Sequence, residues 1–337
     1  MTSASSISPV VVITGASSGI GRATALAFAE QGARLVLAAR REPELEAVAR
    51  SCRELGAQAV VAPADVSSAE DVQRLASQAA QAFGHIDVWI NNAGVLHFGR
   101  VDETPTEVLD RVLSVNLSGA LYGSRAALAH FRRRGRGTLI NTGSVLGLVG
   151  QPFAAAYIAS KFGVRGLSEA LRQEVHDQPD IHVCTVMPAA IDTAAYQRAA
   201  NYMGREMLPI RLLYPPEAVA RVCVKLWKRP RREAFAGPAF GLVTATGKAL
   251  APALSEWVTE VAARTMEVGS APRDASEGNL WRPSSDGLDE NGGWRRRFAR
   301  RTPPLTLLGL GLGLGVAGAF ALSRTLGNRN AAVTPAA

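Results

Sequence analysis

Short runs of β-branched and apolar residues alternate with longer amphipathic stretches through the first 190 residues, and this rhythm constrains the fold more than any other feature of the chain. VVVIT (10–14), RLVLAA (34–39), QAVVA (58–62), DVWIN (87–91), GTLINT (137–142) and IHVCTVM (181–187) have the length and residue types of buried strands. The stretches between them, near 20–31, 42–55, 69–83, 106–132 and 155–177, read as helices. Strands that follow one another through a helix run parallel, and a parallel sheet needs helices on both faces. The expected architecture over residues 8–240 is therefore α/β, a doubly wound parallel sheet.

Beyond residue 190 the rhythm loosens, with Pro209 and the pair Pro215-Pro216 interrupting helical stretches. Residues 190–230 are expected to form a lid over the ligand crevice that such a sheet leaves at its strand ends. A helical extension is predicted over 241–268. The segment GSAPRDASEGNLWRPSSDGLDENGG reads as polar and turns arginine-rich after it, so 269–301 is predicted to be a linker, first polar and then basic. From Thr302 to Ser323 the chain carries 22 residues without a charge, enough for the ~20 that a helix needs to cross a bilayer. Its five glycines would each weaken a helix in water by about 0.8–1.0 kcal/mol, whereas in lipid an unmade backbone hydrogen bond costs more. A transmembrane helix over 302–323 and a disordered tail over 324–337 are the expectation.

Net charge is +8, with a pI near 9.9, which raises the question of nucleic acid. Its distribution answers against that: seven arginines from Arg295 onward meet no acidic residue, leaving one net positive charge for everything before them. Five of those arginines precede the uncharged stretch and two follow it, so the positive-inside bias predicts a cytoplasmic catalytic body attached to a membrane. Cys52, Cys184 and Cys223 are widely spaced and fit a reducing compartment, and neither they nor the five histidines have metal-ligand spacing. No metal is expected. His97 reads as a solvated loop residue.

TGASSGIG places Gly15, Gly19 and Gly21 directly after the first strand and at the start of the first helix. Glycines there permit a tight turn and close approach to a pyrophosphate, which free N–H groups and the helix dipole attract. Where an acidic residue often accepts a ribose hydroxyl at the end of the second strand, this chain has Arg40 and Arg41. Guanidinium groups pair with a 2′-phosphate, so NADP(H) is preferred over NAD(H). Further on, Tyr157 and Lys161 stand four apart on a predicted helix and share a face. A fixed cation beside a phenol would lower its pKa from the usual ~10 and make it a usable general acid or base.

These pieces together resemble the short-chain dehydrogenase/reductase family: TGASSGIG, Asp65-Val66, NNAG at 91–94, Asn116, Ser144, YIASK at 157–161 and the stretch from Pro188 to Thr193, covering roughly residues 8–240 in order and spacing. The resemblance implies that Tyr157 donates or accepts the proton, Ser144 hydrogen-bonds the carbonyl or alcohol oxygen, Lys161 holds the nicotinamide ribose, and Asn116 positions a water. It implies cofactor contacts from Gly15, Ser17, Ser18, Gly19, Ile20 and Gly21, from Arg40, Arg41, Asp65 and Val66, from Asn92, Ala93 and Gly94, and from Pro188, Ile191 and Thr193. One departure stands out: Ala189 follows Pro188 where the family usually has glycine. The function implied is NADP(H)-dependent interconversion of a carbonyl and an alcohol on a small molecule, in a homo-oligomer; the apolar residues of the predicted lid and the uncharged tail point to a lipophilic substrate. The competing reading is a noncatalytic NADP-binding scaffold at a membrane.

Overall fold

A computed structural model describes residues 8–237, 247, 249–283 and 291–299. The apolar runs form β1 (Val10–Thr14), β2 (Arg34–Ala39), β3 (Gln58–Pro63), β4 (Val88–Asn91), β6 (Gly137–Thr142) and β7 (Ile181–Pro188), with β5 (His97–Phe98) a short strand off the main sheet. A seventh strand of that sheet, β10 (Glu233–Ala236), escaped the sequence reading because it is four residues long and follows a basic loop. The seven pair in parallel in the order β10-β7-β6-β4-β1-β2-β3.

Side chains alternate across the sheet. Val11, Ile13, Leu35 and Leu37 face α1 (Gly19–Ala29), α2 (Glu42–Glu54) and α8 (Pro216–Lys228), packing against Phe28, Leu45, Val219 and Leu226. Val12, Val36, Trp89 and Leu139 face α3 (Ala69–Phe83), α4 (Thr106–Leu113), α5 (Gly119–Arg134) and α6 (Ala155–Glu174), packing against Leu75, Val112, Phe131 and Leu171. The chain runs outward from β1 to β3 and then returns to lay β4 on the other side of β1. The loops after β1 and β4 therefore part, opening a crevice at the carboxyl ends of the strands. The fold is the expected Rossmann-like sheet with helices on both faces.

The predicted helix 106–132 runs without a break from Thr106 to Arg134, with one π-helical turn, Ser114–Ser118, between α4 and α5 that carries Asn116. Two expectations change. The predicted lid divides: α7 (Ala195–Arg198), β8 (Ala200–Asn201) and β9 (Arg205–Met207) lie over the crevice side, but α8 belongs to the core because Val219, Cys223 and Leu226 recur at helical spacing and are buried against the sheet. The predicted linker 269–301 is built into the molecule wherever it is described. β11 (Val268–Pro272) pairs antiparallel with β9, Leu280 is fully buried, and α10 (Trp294–Ala299) buries Trp294 and donates the Trp294 and Arg295 amides to the Asp192 carboxylate at 2.9 and 3.1 Å. Single large apolar residues in polar surroundings anchor these segments, and a compositional reading averages them away.

The extension contains α9 (Pro252–Ala262) and a π-turn, Ala263–Glu267; α9 leaves Leu254, Trp257, Val258 and Val261 exposed. The stretch 302–323 and the tail 324–337 lie outside the described residues, among which no helix is long and apolar enough to cross a membrane. Cys52, Cys184 and Cys223 are buried free thiols, and burial pushes their pKa values up to about 11, 11 and 12. Among the described residues no group of three or more His, Cys, Asp or Glu gathers to hold a metal ion.

Candidate active site

The turn after β1 shows why its glycines are needed. Gly15 has φ +66, and a Cβ there would lie 2.7 Å from the Ala93 Cα; a Cβ on Gly21 would collide with the Gly15 carbonyl oxygen. Two loops are thereby pressed together: the Thr14 hydroxyl accepts from the Asn92 and Ala93 amides at 2.9 and 3.1 Å, and the Asn92 side chain donates to the Thr14 carbonyl at 3.0 Å. Helix α1 opens at Gly19 with no acidic residue in its first turn and no side-chain cap, so its N-terminal amides are left for an anion.

A crevice of about 230 Å³ runs from this turn along the strand ends. It is lined by Gly15, Ser17, Ser18, Gly19, Ile20, Arg40, Arg41, Asp65, Val66, Asn92, Ala93, Gly94 and Thr193. Gly21 lies behind the turn and off this surface. Burial raises the Asp65 pKa, but hydrogen bonds from Arg111 and Ser67 outweigh it and hold the carboxyl below the usual range. The Arg111 guanidinium donates to Asp65 Oδ2 at 2.6 Å. A dinucleotide fits these residues: a glycine cradle without room for a Cβ, an open helix N-terminus, and cationic side chains from Arg41 and Arg198 that reach Ser17 Oγ and Ser18 Oγ at 3.3 Å each.

Arg40 departs from its expected role. Its Nη1 and Nη2 donate to the backbone carbonyls of Leu280 and Asn279 at 2.8 and 2.6 Å, so the guanidinium fastens the segment 276–283 across the crevice. Arg111 holds the same segment through a 3.1 Å bond to the Leu280 carbonyl and lies 5.1 Å from the centroid of the Trp281 ring. Asn279 and Pro283 consequently line the crevice. Arg41, ion-paired to Glu44 at 3.1 Å, and Arg198 are left as the arginines beside the glycine turn.

A second cavity, of about 270 Å³, adjoins the first and shares Ile20, Asn92, Gly94, Val95, Thr193, Ala195 and Asn279 with it. Ser144, Tyr157, Lys161, Pro188 and Ile191 line it. Ser144 ends the loop after β6, its hydroxyl accepting the Leu146 amide at 3.1 Å, while Tyr157 and Lys161 project from α6. Lys161 Nζ donates to the Thr142 carbonyl at 2.9 Å and lies 5.6 Å from the centroid of the Tyr157 ring. The expected depression of the tyrosine pKa is not found. Burial dominates and raises it, with a hydrogen bond to Ser144 pulling it partly back, and burial lowers Lys161 to about 8. Each group is pushed toward its neutral form because each has lost water.

Asn116 does not line either cavity. Its side chain accepts from the Val95 amide at 2.8 Å and donates to the Val95 carbonyl and Ser160 Oγ at 3.0 and 3.2 Å, which fixes the loop after β4 against α6. The π-turn turns it toward that loop. Asn91, also in the NNAG motif, is structural as well, joining Trp89, Ser124 and Asn141 in a buried network. Ala189 is accommodated because position 237 is glycine, where a Cβ would come within 2.8 Å of the Ala189 methyl. His97 is enclosed rather than solvated; neither ring nitrogen has a partner among the described residues, and burial lowers its pKa to about 4.

Tyr196 on α7, within the predicted lid, lines the cavity, but two further residues were not legible beforehand: Gln151 on the loop before α6 and Glu267 at the end of the extension. Each is a polar residue in an unremarkable local context, and only the tertiary fold brings them to one place.

Comparison with known proteins agrees with this geometry. Residues 9–202 match the profile of the short chain dehydrogenase family. The uncharacterized oxidoreductase YxnA of Bacillus subtilis is 36% identical over 293 residues, covering 85% of this chain and 82% of YxnA. An alcohol dehydrogenase from Thermococcus sibiricus, complexed with 5-hydroxy-NADP, superposes with a TM-score of 0.60 at 30% identity over 67% of this chain and 95% of its own. A short-chain dehydrogenase/reductase from Burkholderia phymatum in complex with NAD gives 0.64 at 28% identity over 72% and 95%.

Proposed function

The chain belongs to the short-chain dehydrogenase family, and from that premise we propose that it is an NADP(H)-dependent oxidoreductase interconverting a carbonyl and an alcohol, with Tyr157 as its general acid and base. The observation that carries the proposal is the junction of the two cavities, which sets the nucleotide crevice edge to edge with Ser144, Tyr157 and Lys161. When bound, the nicotinamide supplies or removes a hydride at the substrate carbon.

The remaining steps belong to the chain's own residues. In reduction the π pair of the carbonyl moves to its oxygen as the carbon gains hydride, and Tyr157 transfers its phenolic proton to that oxygen. Burial suits this direction, since it keeps the phenol protonated at neutral pH. The phenolate left behind is held by the Ser144 hydroxyl and the Lys161 ammonium, and a proton from solvent restores it. Oxidation reverses each transfer. Asn116 acts as a positioning residue, holding the loop between β4 and α4 on which the nucleotide would lie.

The preference for NADP(H) rests on Arg41, whose Nη2 stands by Ser17 just after β2 while its Nη1 pairs with Glu44, and on Ala39-Arg40-Arg41 standing where an acidic residue would repel a 2′-phosphate. A lipophilic substrate is supported by the wall of the second cavity, where Leu96, Phe98, Val149 and Ile210 dominate. Purified protein is expected to consume NADPH with lipophilic ketones or aldehydes at a kcat/KM at least tenfold above that with NADH, and Arg41→Ala is expected to bring the two within about threefold. Equal use of both nucleotides by the unaltered protein would refute the preference.

A further inference from the structure

The second cavity contains one carboxyl group, Glu267, and neither the reaction nor the packing of the sheet requires it. It ends the π-turn after α9 and is 3% exposed. Gln151 Nε2 donates to its Oε2 at 2.6 Å, and the described residues offer it no ion pair and no second hydrogen bond. Burial pushes its pKa up to about 7 even though Gln151 draws it back. A buried carboxyl with one neutral partner is a net cost to folding, and an amide could hold Gln151 in place without it.

The surroundings fix where this group stands. The Leu208 amide donates to the Glu267 carbonyl at 2.7 Å, and the β9–β11 ladder begins at the next residue, Val268. From the other side, Arg264 lies 5.3 Å from the centroid of the Phe153 ring, which ties the extension to the loop carrying Gln151. Tyr196 shares the cavity, and the charges of Glu267 and Tyr157 add to burial in raising its pKa. Glu267 is thus a placed acceptor, the one carboxyl in a largely apolar cavity, in the same space as Tyr157.

We propose that Glu267, steered by Gln151, sets substrate specificity by accepting a hydrogen bond from a hydroxyl or ammonium group on an apolar-bodied substrate, remote from the carbonyl or alcohol that meets Tyr157. This rests on the carbonyl-alcohol reading of the cavity. Sites that hydrogen-bond a substrate group discriminate sharply against analogues that lack it, because their own polar atoms are then left unpaired.

Calorimetric titration of the full chain with saturating NADPH tests it, using alkan-2-ols of six to twelve carbons, the matching diols with a terminal hydroxyl, and the matching amino alcohols. No hydride can move between NADPH and an alcohol, so binding is read without turnover. At some chain length the diol or the amino alcohol is expected to bind at least tenfold tighter than the plain alcohol, and Glu267→Leu is expected to reduce the gap below twofold. Should that variant fail to fold, Glu267→Gln, which keeps the volume and an amide for Gln151, is expected to shrink the gap at least fivefold. A hydroxyl preference or an ammonium preference each supports the proposal and tells which donor is used. Equal binding of all three classes at every length, or a gap that survives the substitutions, overturns it. Failure of the unaltered protein to oxidise any of these alcohols with NADP+ would count against the redox reading alone.

Discussion

At residue scale, burial sets the protonation states in the cavity, against what a Tyr and a Lys four apart suggest. Sequence spacing correctly places Tyr157 and Lys161 on one face of α6, but it carries no information on how much water either group loses. That loss raises one pKa and lowers the other. Glu267 obeys the same rule, and its effect on stability has a definite sign. Its folded pKa is about 7 against an ordinary 4.5, so between these values the folded chain binds more protons than the unfolded chain and stability falls as pH rises. The cost is complete above pH 7 and amounts to about 3 kcal/mol. Glu267→Gln removes this titration. Urea unfolding at pH 5 and pH 8 should therefore find the variant gaining about 2–3 kcal/mol relative to the parent between the two; no gain, or a loss, would mean that the carboxyl is not buried as described.

At the scale of elements, six of the seven strands of the sheet were readable because each is a short run rich in apolar and β-branched residues and each main helix repeats its apolar residues with its own period, whereas the four-residue β10 carries too little of that signal. The roof over the nucleotide crevice was not readable. Its fixing depends on Leu280, buried in an otherwise mostly polar segment, on Trp281 beside Arg111, on backbone carbonyls that any sequence would supply, and on Arg40 and Arg111, which lie 240 and 169 residues away from Leu280. Glu267 was hidden for a like reason, since a glutamate at a helix end is ordinarily solvated. The roof gives a prediction that belongs to this scale. Leu280→Ala should cost that segment about 2–5 kcal/mol and free it from the sheet domain. Limited proteolysis should then cut within 273–283, and the KM for the nucleotide should rise about tenfold while the main thermal transition moves little. Unchanged protection and KM would show that the segment plays no part in holding the nucleotide.

At the scale of the whole molecule, chemistry and basic charge are kept apart along the chain. The crevice and cavity draw on residues from Gly15 to Pro283, whereas seven arginines and the uncharged Thr302–Ser323 stretch follow from Arg295 onward. On sequence grounds we expect that stretch to attach the enzyme to a membrane, with the sheet domain on the cytoplasmic side. The full chain should then stay with membranes through a 1 M salt wash and leave them with detergent; release by salt alone would refute the attachment without touching the catalytic reading. That reading centres on one proton. Steady-state NADPH oxidation with a reactive lipophilic carbonyl, compared between the parent and Tyr157→Phe alongside their NADPH affinities, tests it most directly. The account predicts an affinity within about twofold and turnover lower by about 10²–10⁴-fold; turnover by the phenylalanine variant within tenfold of the parent would contradict it.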